Sequence, residues 1–337
     1  MTFVPGATRT PIPPAVGTPE PEAHSRHGAA FAALAEPISR AAPQSLVASQ
    51  SYTELEVAIT EEDRAFWCFM KPRGRPSFTP GLLRDLAHMQ GMIDELFQAT
   101  PSGAETPFDY FVLGSSLPGV FNLGGDLSLL AEKVRQQDRE GLRRYAQACV
   151  TAVDANYHGY HHGVITIALI QGDALGGGLE APMSCDLMVA ERQAKFGLPE
   201  ILFNLFPGVG AYSYLFRRLG MRKTEEIMLS GRLYTAEEMH DFGVVDVLAE
   251  PGEGVRAVKE YIARNRSRFR GQSAIYKVRR RVNPVPIEEL RDVADLWVEA
   301  ALGLSETDLR RTARIATAQQ RAVPASVHEL HPQAREA

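Results

Sequence analysis

At 337 residues and 45% apolar content, the chain is long enough for one large α/β domain with extensions or for two smaller domains. Its longest apolar runs fall well short of the roughly 20 residues that span a bilayer, and no charged segment followed by an apolar one opens it, so a membrane span and a secretory leader are not expected and a cytoplasmic location is. The net charge of −5 points to no particular partner, nucleic acid included, and Cys68, Cys149 and Cys185 are too few and too scattered for a disulfide framework or a Cys-x-x-Cys site, which leaves core packing as their role.

Residues 1 to 45 are rich in Pro, Ala, Gly and Thr, as in Thr10-Pro11-Ile12-Pro13-Pro14, and show no sustained period of 2.0 or 3.6. Such a segment buries too little apolar area to offset its ordering entropy, so a mobile extension is expected. The α/β core is expected over residues 46 to 250. It opens with strands Leu55 to Ile59 and Ala65 to Met70 as a hairpin around Thr60-Glu61-Glu62-Asp63. Thr79 suits a helix N-cap with Pro80 in the first turn, and Leu82, Leu86, Met89, Ile93, Leu96 and Phe97 fall on one face of the helix that follows. A strand over Phe108 to Leu113 comes next. Phe121-Asn122-Leu123 then runs into Gly124-Gly125-Asp126, where two glycines leave amides unobstructed and Asp126 is placed to cap a helix.

A helix through Leu142, Ala146, Cys149 and Val153 leads to His158, His161 and His162. With no Cys, Asp or Glu judged to stand at metal-ligand spacing, these histidines are read as caps of the helix C-terminus, and no metal is expected. Val164 to Ile170 is a β-branched run suited to a strand buried on both faces. It ends in a glycine loop, Gly172 to Gly178, followed at once by Glu180. Pro182 is tolerable if it lies in a first helical turn. A second strand, Leu187 to Ala190, leads to Phe196-Gly197-Leu198-Pro199-Glu200, so two carboxylates stand 20 residues apart at matching strand exits. Strand, glycine turn, helix, strand implies parallel strands with right-handed crossovers. Helices at Ala211 to Leu219, Lys223 to Leu229 and Ala236 to His240 precede a last strand, Val244 to Ala249.

Residues 251 to 337 read as a helical region. Within it, Ile287, Leu290, Ala294, Trp297, Ala301 and Leu304 form an apolar stripe that a neighbouring domain or subunit should cover. From Arg264 to Arg281 there are eight Lys or Arg and no Asp or Glu, a field attractive to phosphates or to an acidic protein, or else a solvated helix face.

Exposed glycine amides beside two carboxylates suit acyl chemistry. Negative charge building on a carbonyl oxygen needs convergent donors, and one glutamate can take a proton while the other gives one if their pKa values are held apart. The glycine spacing fits neither dinucleotide nor P-loop phosphate patterns, and no cofactor is expected.

Phe121-x-x-Gly124-Gly125-Asp126, Gly172-Asp173-Ala174-Leu175-Gly176-Gly177-Gly178-Leu179-Glu180, Cys185-Asp186 and Phe196-Gly197-Leu198-Pro199-Glu200-Ile201 through Pro207-Gly208-x-Gly210 together resemble the crotonase (enoyl-CoA hydratase/isomerase) superfamily in order and spacing. The resemblance covers residues 105 to 250 closely. It implies an α/β fold of the ClpP/crotonase-like kind, a spiral of ββα units with a helical C-terminal region. It also implies an oxyanion hole from the backbone NH groups of Gly125 and Gly177, catalytic roles for Glu180 and Glu200, and a homo-oligomer, a trimer or a hexamer. Leu198 through Ser213 and Phe121 through Leu127 look like the diffusible-signal-factor synthases of bacterial quorum sensing. That likeness implies dehydration of a 3-hydroxyacyl chain on acyl carrier protein to a cis-2-enoyl chain, followed by hydrolysis to the free fatty acid. The basic run would then dock the acidic carrier, and Phe203, Leu205 and Trp297 would line an acyl slot, core packing being the favoured reading of Trp297 because it also sits on the apolar stripe. Two other readings stand beside it: a hydratase or isomerase acting on CoA thioesters in fatty-acid degradation, and a non-catalytic binder of a signalling-protein partner.

Overall fold

The computed structural model describes residues 42–321. The extension expected over residues 1 to 45 thus lies outside the described residues up to residue 41, and helix α1 (Ala42–Ser49) begins at its end. The expected hairpin forms as β1 (Leu55–Thr60) and β2 (Ala65–Met70), antiparallel with Leu55 opposite Met70. Thr79 caps α2 (Pro80–Ala99) by accepting the Leu82 N–H, with Pro80 where a missing donor costs nothing. The chain continues through β3 (Tyr110–Ser115), β4 (Gly119–Asn122), α3 (Leu127–Arg135) capped by Asp126, α4 (Arg139–Tyr157), β5 (Ile165–Ile170), β6 (Gly172–Leu175) and α5 (Gly177–Met183). Then come β7 (Leu187–Glu191), β8 (Lys195–Gly197), α6 (Ala211–Leu219), α7 (Met221–Ser230), β9 (Leu233–Thr235), α8 (Ala236–Asp241) and β10 (Val247–Ala249). Helices α9 (Gly254–Asn265), α10 (Phe269–Val282), α11 (Ile287–Leu302) and α12 (Glu306–Arg321) follow.

The strands sort into two sheets. The larger has the order β1-β2-β3-β5-β7-β10, parallel except for the opening hairpin, and the smaller has the order β4-β6-β8-β9. Each of β3, β5 and β7 in the large sheet is followed directly by a partner in the small one, β4, β6 and β8, and these three are parallel to one another. This is the expected spiral of ββα units with helices after it. The small sheet itself differs from expectation: Gly172 to Leu175 is a strand rather than a loop, and Leu233–Thr235 closes the edge. The glycine at 172 is required because a Cβ there would collide with the backbone of Gly119 on β4. Pro182 is the sixth residue of α5, beyond the first turn, where it removes one hydrogen bond from a helix that ends at the next residue.

Both faces of the large sheet are covered, which is why β5 is buried throughout and apolar except for Thr166. On one side Trp67, Tyr110, Ile167 and Val189 pack against Val258 and Ile262 of α9. On the other lies the main core beneath α2 and α4. The α11 stripe, expected to need a neighbouring domain or subunit, lies on α4 of the same core, with Leu290, Ala294, Val298 and Ala301 buried and Arg143 paired with Asp295 at the rim. Two members of the basic run also face inward. Arg279 and Arg280 both donate to Oδ1 of buried Asp186, at 2.5 and 2.6 Å, while Oδ2 accepts the Thr166 amide at 3.1 Å. Arg264, Arg268, Arg270 and Arg281 remain exposed. The three cysteines are buried thiols, and no helix among the described residues is long and apolar enough to cross a membrane.

Candidate active site

Adjacent strands of the small sheet carry the two glycine turns to one place. At the end of β4 the Asn122 side chain accepts the Gly124 N–H at 2.8 Å, and Gly124 turns with φ +95°. A Cβ on Gly124 would sit 2.8 Å from the Leu175 carbonyl and 3.1 Å from the Gly177 nitrogen, so only glycine allows the turns to touch. At the end of β6, Gly176 (φ +54°) precedes α5, whose first amides have no partner within the helix. A Cβ on Gly177 would lie 3.6 Å from the Gly125 nitrogen. Among the described residues, neither the Gly125 nor the Gly177 amide donates to the chain.

Glu180 follows in α5 and is 2% exposed. Its Oε1 accepts the Val209 and Ala211 amides at 2.7 and 3.0 Å, both offered by the turn around Gly210. Burial pushes its pKa up to about 7, with the two amides pulling the other way. Glu200 stands in the short 3₁₀ turn Pro199–Phe203 after β8, next to β6 in the sheet. A Cβ on Gly176 would come within 2.5 Å of its Oε1. The residue is half-buried overall, but Oε2 is sealed from water and has no hydrogen-bond partner. Burial, and then the charge on Glu180, push its pKa up to about 8. The charge on Glu180 raises Glu200, so the carboxyls titrate as a pair, and between the two values, about 7 and about 8, they share about one proton.

All four expected site residues line one cavity of about 1000 Å³, its open mouth included. Most of the rest of its wall is apolar, from Phe78 and Leu86 to Phe111 and Val153, with Gln90, Asp126, Tyr145 and Asn156 among the exceptions. Phe203 and Leu205 belong to it, as expected. So does Trp297, which also packs against the main core as its place on the apolar stripe led us to expect: it is half-buried, and a Cβ on Gly208 would strike its ring. Tyr145, Cys149 and Asn156 of α4 also line the cavity and were missed. Their spacing of four and then seven residues marks one helical face, but periodicity alone does not separate a face on a cavity from a face on the core.

Of the three histidines only His158 is seen to cap the helix; His162 instead pairs with Asp94 of α2 at 3.0 Å and stacks on Phe97. His158 ends α4, and its Nδ1 lies 3.1 Å from both the backbone and a carboxylate oxygen of Asp154. Asp154, one turn upstream, is the carboxylate overlooked from spacing alone, and with His158 and His161 it offers three metal-type ligand atoms within 4.8 Å. Yet the His158 and His161 rings stack at 13° with centroids 4.9 Å apart, so their in-plane lone pairs run side by side instead of converging on one ion.

A family model described as enoyl-CoA hydratase/isomerase matches residues 87–265. The chain is 41% identical over 91 residues to a peroxisomal fatty acid beta-oxidation multifunctional protein of Oryza sativa subsp. japonica, covering 27% of this chain and 12% of that protein. It is 38% identical over 104 residues to the short-chain-enoyl-CoA hydratase of Clostridioides difficile, covering 30% of this chain and 66% of that one. The matches therefore span less than two thirds of these relatives' own length. In fold, the chain is similar to the crystal structure of an enoyl-CoA hydratase from Bacillus halodurans, with a TM-score of 0.66 and 20% identity over 78% of this chain and all of that one.

Proposed function

Since the chain belongs to the enoyl-CoA hydratase/isomerase family, we propose that it interconverts 3-hydroxyacyl and 2-enoyl thioesters through Glu180 and Glu200, with the thioester oxygen held by the amides of Gly125 and Gly177. One observation carries this reading: a buried and a half-buried glutamate, both of raised pKa, line the same cavity as two touching turns with unused amides. Two fixed donors stabilise the enolate oxygen, and losing one such donor typically costs about 10² to 10³ in rate. In the hydration direction Glu180, whose carboxylate is favoured by two amides, takes a proton from water, and Glu200, whose unbonded buried oxygen favours the neutral form, gives one to Cα. Dehydration follows the same path in reverse, starting with the proton on Glu180. The Cα proton then goes to Glu200, and the Cβ hydroxyl leaves as water.

The wording of the glutamate and glycine motifs supports a narrower reading. In it, the physiological direction is dehydration of a 3-hydroxyacyl carrier-protein thioester to a cis-2-enoyl chain. Water then adds to the thioester carbonyl, the carbon–sulfur bond breaks, and a free cis-2-unsaturated acid and the carrier thiol are released. The exposed arginines at 264, 268, 270 and 281 provide a face for an acidic carrier. The competing reading is a hydratase acting on CoA thioesters, which needs the same pair and the same hole.

Incubating the protein with 3-hydroxyacyl chains on carrier protein and on CoA, and identifying products by mass spectrometry, separates the two. Free enoic acid supports the synthase. Enoyl-CoA with the thioester intact supports the hydratase. Full activity in both Glu180→Gln and Glu200→Gln would remove these residues from the reaction.

A further inference from the structure

The turn that presents Gly125 is not held by an ordinary strand pairing. Phe78 bridges Gly125 in parallel register, and the first rung is regular: the Phe78 N–H donates to the Gly124 carbonyl at 2.8 Å. In a parallel bridge the return rung would run from the Asp126 N–H to the Phe78 carbonyl. Here the hydroxyl of Tyr145, reaching up from α4, stands in that rung. It accepts the Asp126 N–H at 2.9 Å and donates to the Phe78 carbonyl at 2.8 Å.

We infer that Tyr145 is a positioning residue whose hydroxyl, wedged between Asp126 and Phe78, sets the aim of the Gly125 amide into the cavity. The inference rests on the reading of Gly125 and Gly177 as the oxyanion hole and goes beyond it in naming what holds one half of that hole in place. Two hydrogen bonds in series through one oxygen span more distance than a single N–H···O contact. The Gly125–Asp126 peptide therefore stands off from the Phe78 strand. The wedge also fits closely against the turn, since a Cβ on Gly125 would lie 3.3 Å from the Tyr145 oxygen. Burial keeps the phenol neutral, so it retains the proton it donates. The far side of the turn is braced separately, by Asp126 capping α3 and pairing with Arg75 at 3.1 Å. Without the hydroxyl, the return rung either closes directly, drawing the peptide toward Phe78, or leaves two polar groups unpaired. In both cases the Gly125 amide loses its alignment while the ring of a Phe substitute still fills the wall.

The test is Raman difference spectroscopy of the carbonyl stretch of a bound 2-enoyl-CoA, with steady-state kinetics, on the wild type and on Tyr145→Phe. The wild type should shift the stretch to lower frequency. Tyr145→Phe should lose most of that shift and about 100-fold in kcat, with KM changed only a few-fold. A folded Tyr145→Phe with wild-type shift and kcat overturns the inference and leaves the oxyanion-hole reading intact; no shift in the wild type overturns both. Should Tyr145→Phe fail to fold, replacing Tyr145 by a difluorotyrosine keeps the shape and the hydroxyl while weakening it as an acceptor, at a pH where the phenol stays neutral. A changed carbonyl stretch then supports the wedge, and an unchanged one overturns it.

Discussion

A carboxyl oxygen that is sealed from water and unbonded, as Oε2 of Glu200 is, favours the protonated form. The folded chain therefore binds a proton there that the unfolded chain releases near its ordinary value of 4.5, while the folded value is about 8. The sign follows from that order: this contribution to stability is full below about pH 4.5 and is lost as pH rises through about 8. Urea unfolding at fixed pH values from 5 to 9 should show stability falling by a few kcal/mol, since each tenfold change in proton affinity is worth about 1.4 kcal/mol. Glu200→Gln should flatten most of the fall; parallel curves for the two proteins would contradict the assignment. For turnover, one proton shared by the pair predicts a bell in kcat/KM peaking between about 7 and 8. Gly176→Ala should abolish most activity without replacing a catalytic group, because its Cβ would displace Glu200 Oε1 and its φ of +54° disfavours any side chain. The sequence shows both glutamates and both glycine turns, but the values of about 7 and 8 come from burial, which the Val209 and Ala211 amides only partly oppose at Glu180, and no spacing reveals either effect.

At the scale of elements, α4 forms one wall of the cavity from Tyr145 to Asn156. At about 1.5 Å of rise per residue that wall is about 16 Å long, room for an extended medium-length acyl chain. Ala146 lies on this wall and has no side chain beyond Cβ. Ala146→Phe should shift chain-length preference toward shorter substrates, measured as kcat/KM across a series from about four to about fourteen carbons. An unchanged profile would place the acyl chain elsewhere. Long periodic elements such as α2, α4 and α11 were legible because a 3.6 pattern over many residues has few rivals. The small sheet was not, because β6 and β9 are too short for periodicity, and Gly172 and Asp173 read as a turn until β4 is known to lie against them.

The whole molecule joins its helical C-terminal part to the α/β core through Asp186, which two arginines of α10 grip from one side and Thr166 of β5 holds from the other. Breaking such a buried pair leaves charge uncompensated, and Asp186→Asn should cost about 3 kcal/mol, at the low end of the usual range because Arg279 is partly exposed. Calorimetry should show the melting temperature lowered by several degrees; a loss of under one degree would mean that the clamp is idle. Cys185-Asp186 was visible as a motif, but its partners lie more than ninety residues downstream, and nothing local links them. The same distance explains why the α11 stripe looked unclaimed when α4 of its own chain covers it.

Trp297 belongs to that C-terminal part, yet its ring presses on Gly208 and faces the cavity that holds both glutamates. One side chain from the helices after residue 250 thus stands in the wall of the cavity in which the pair is buried, and the prediction is that it helps to keep that cavity dry. Trp297→Ala should let water in, draw both carboxyls back toward 4.5 and move the optimum of the pH–rate profile to the acid side, even though the substituted residue belongs to neither sheet and neither glycine turn.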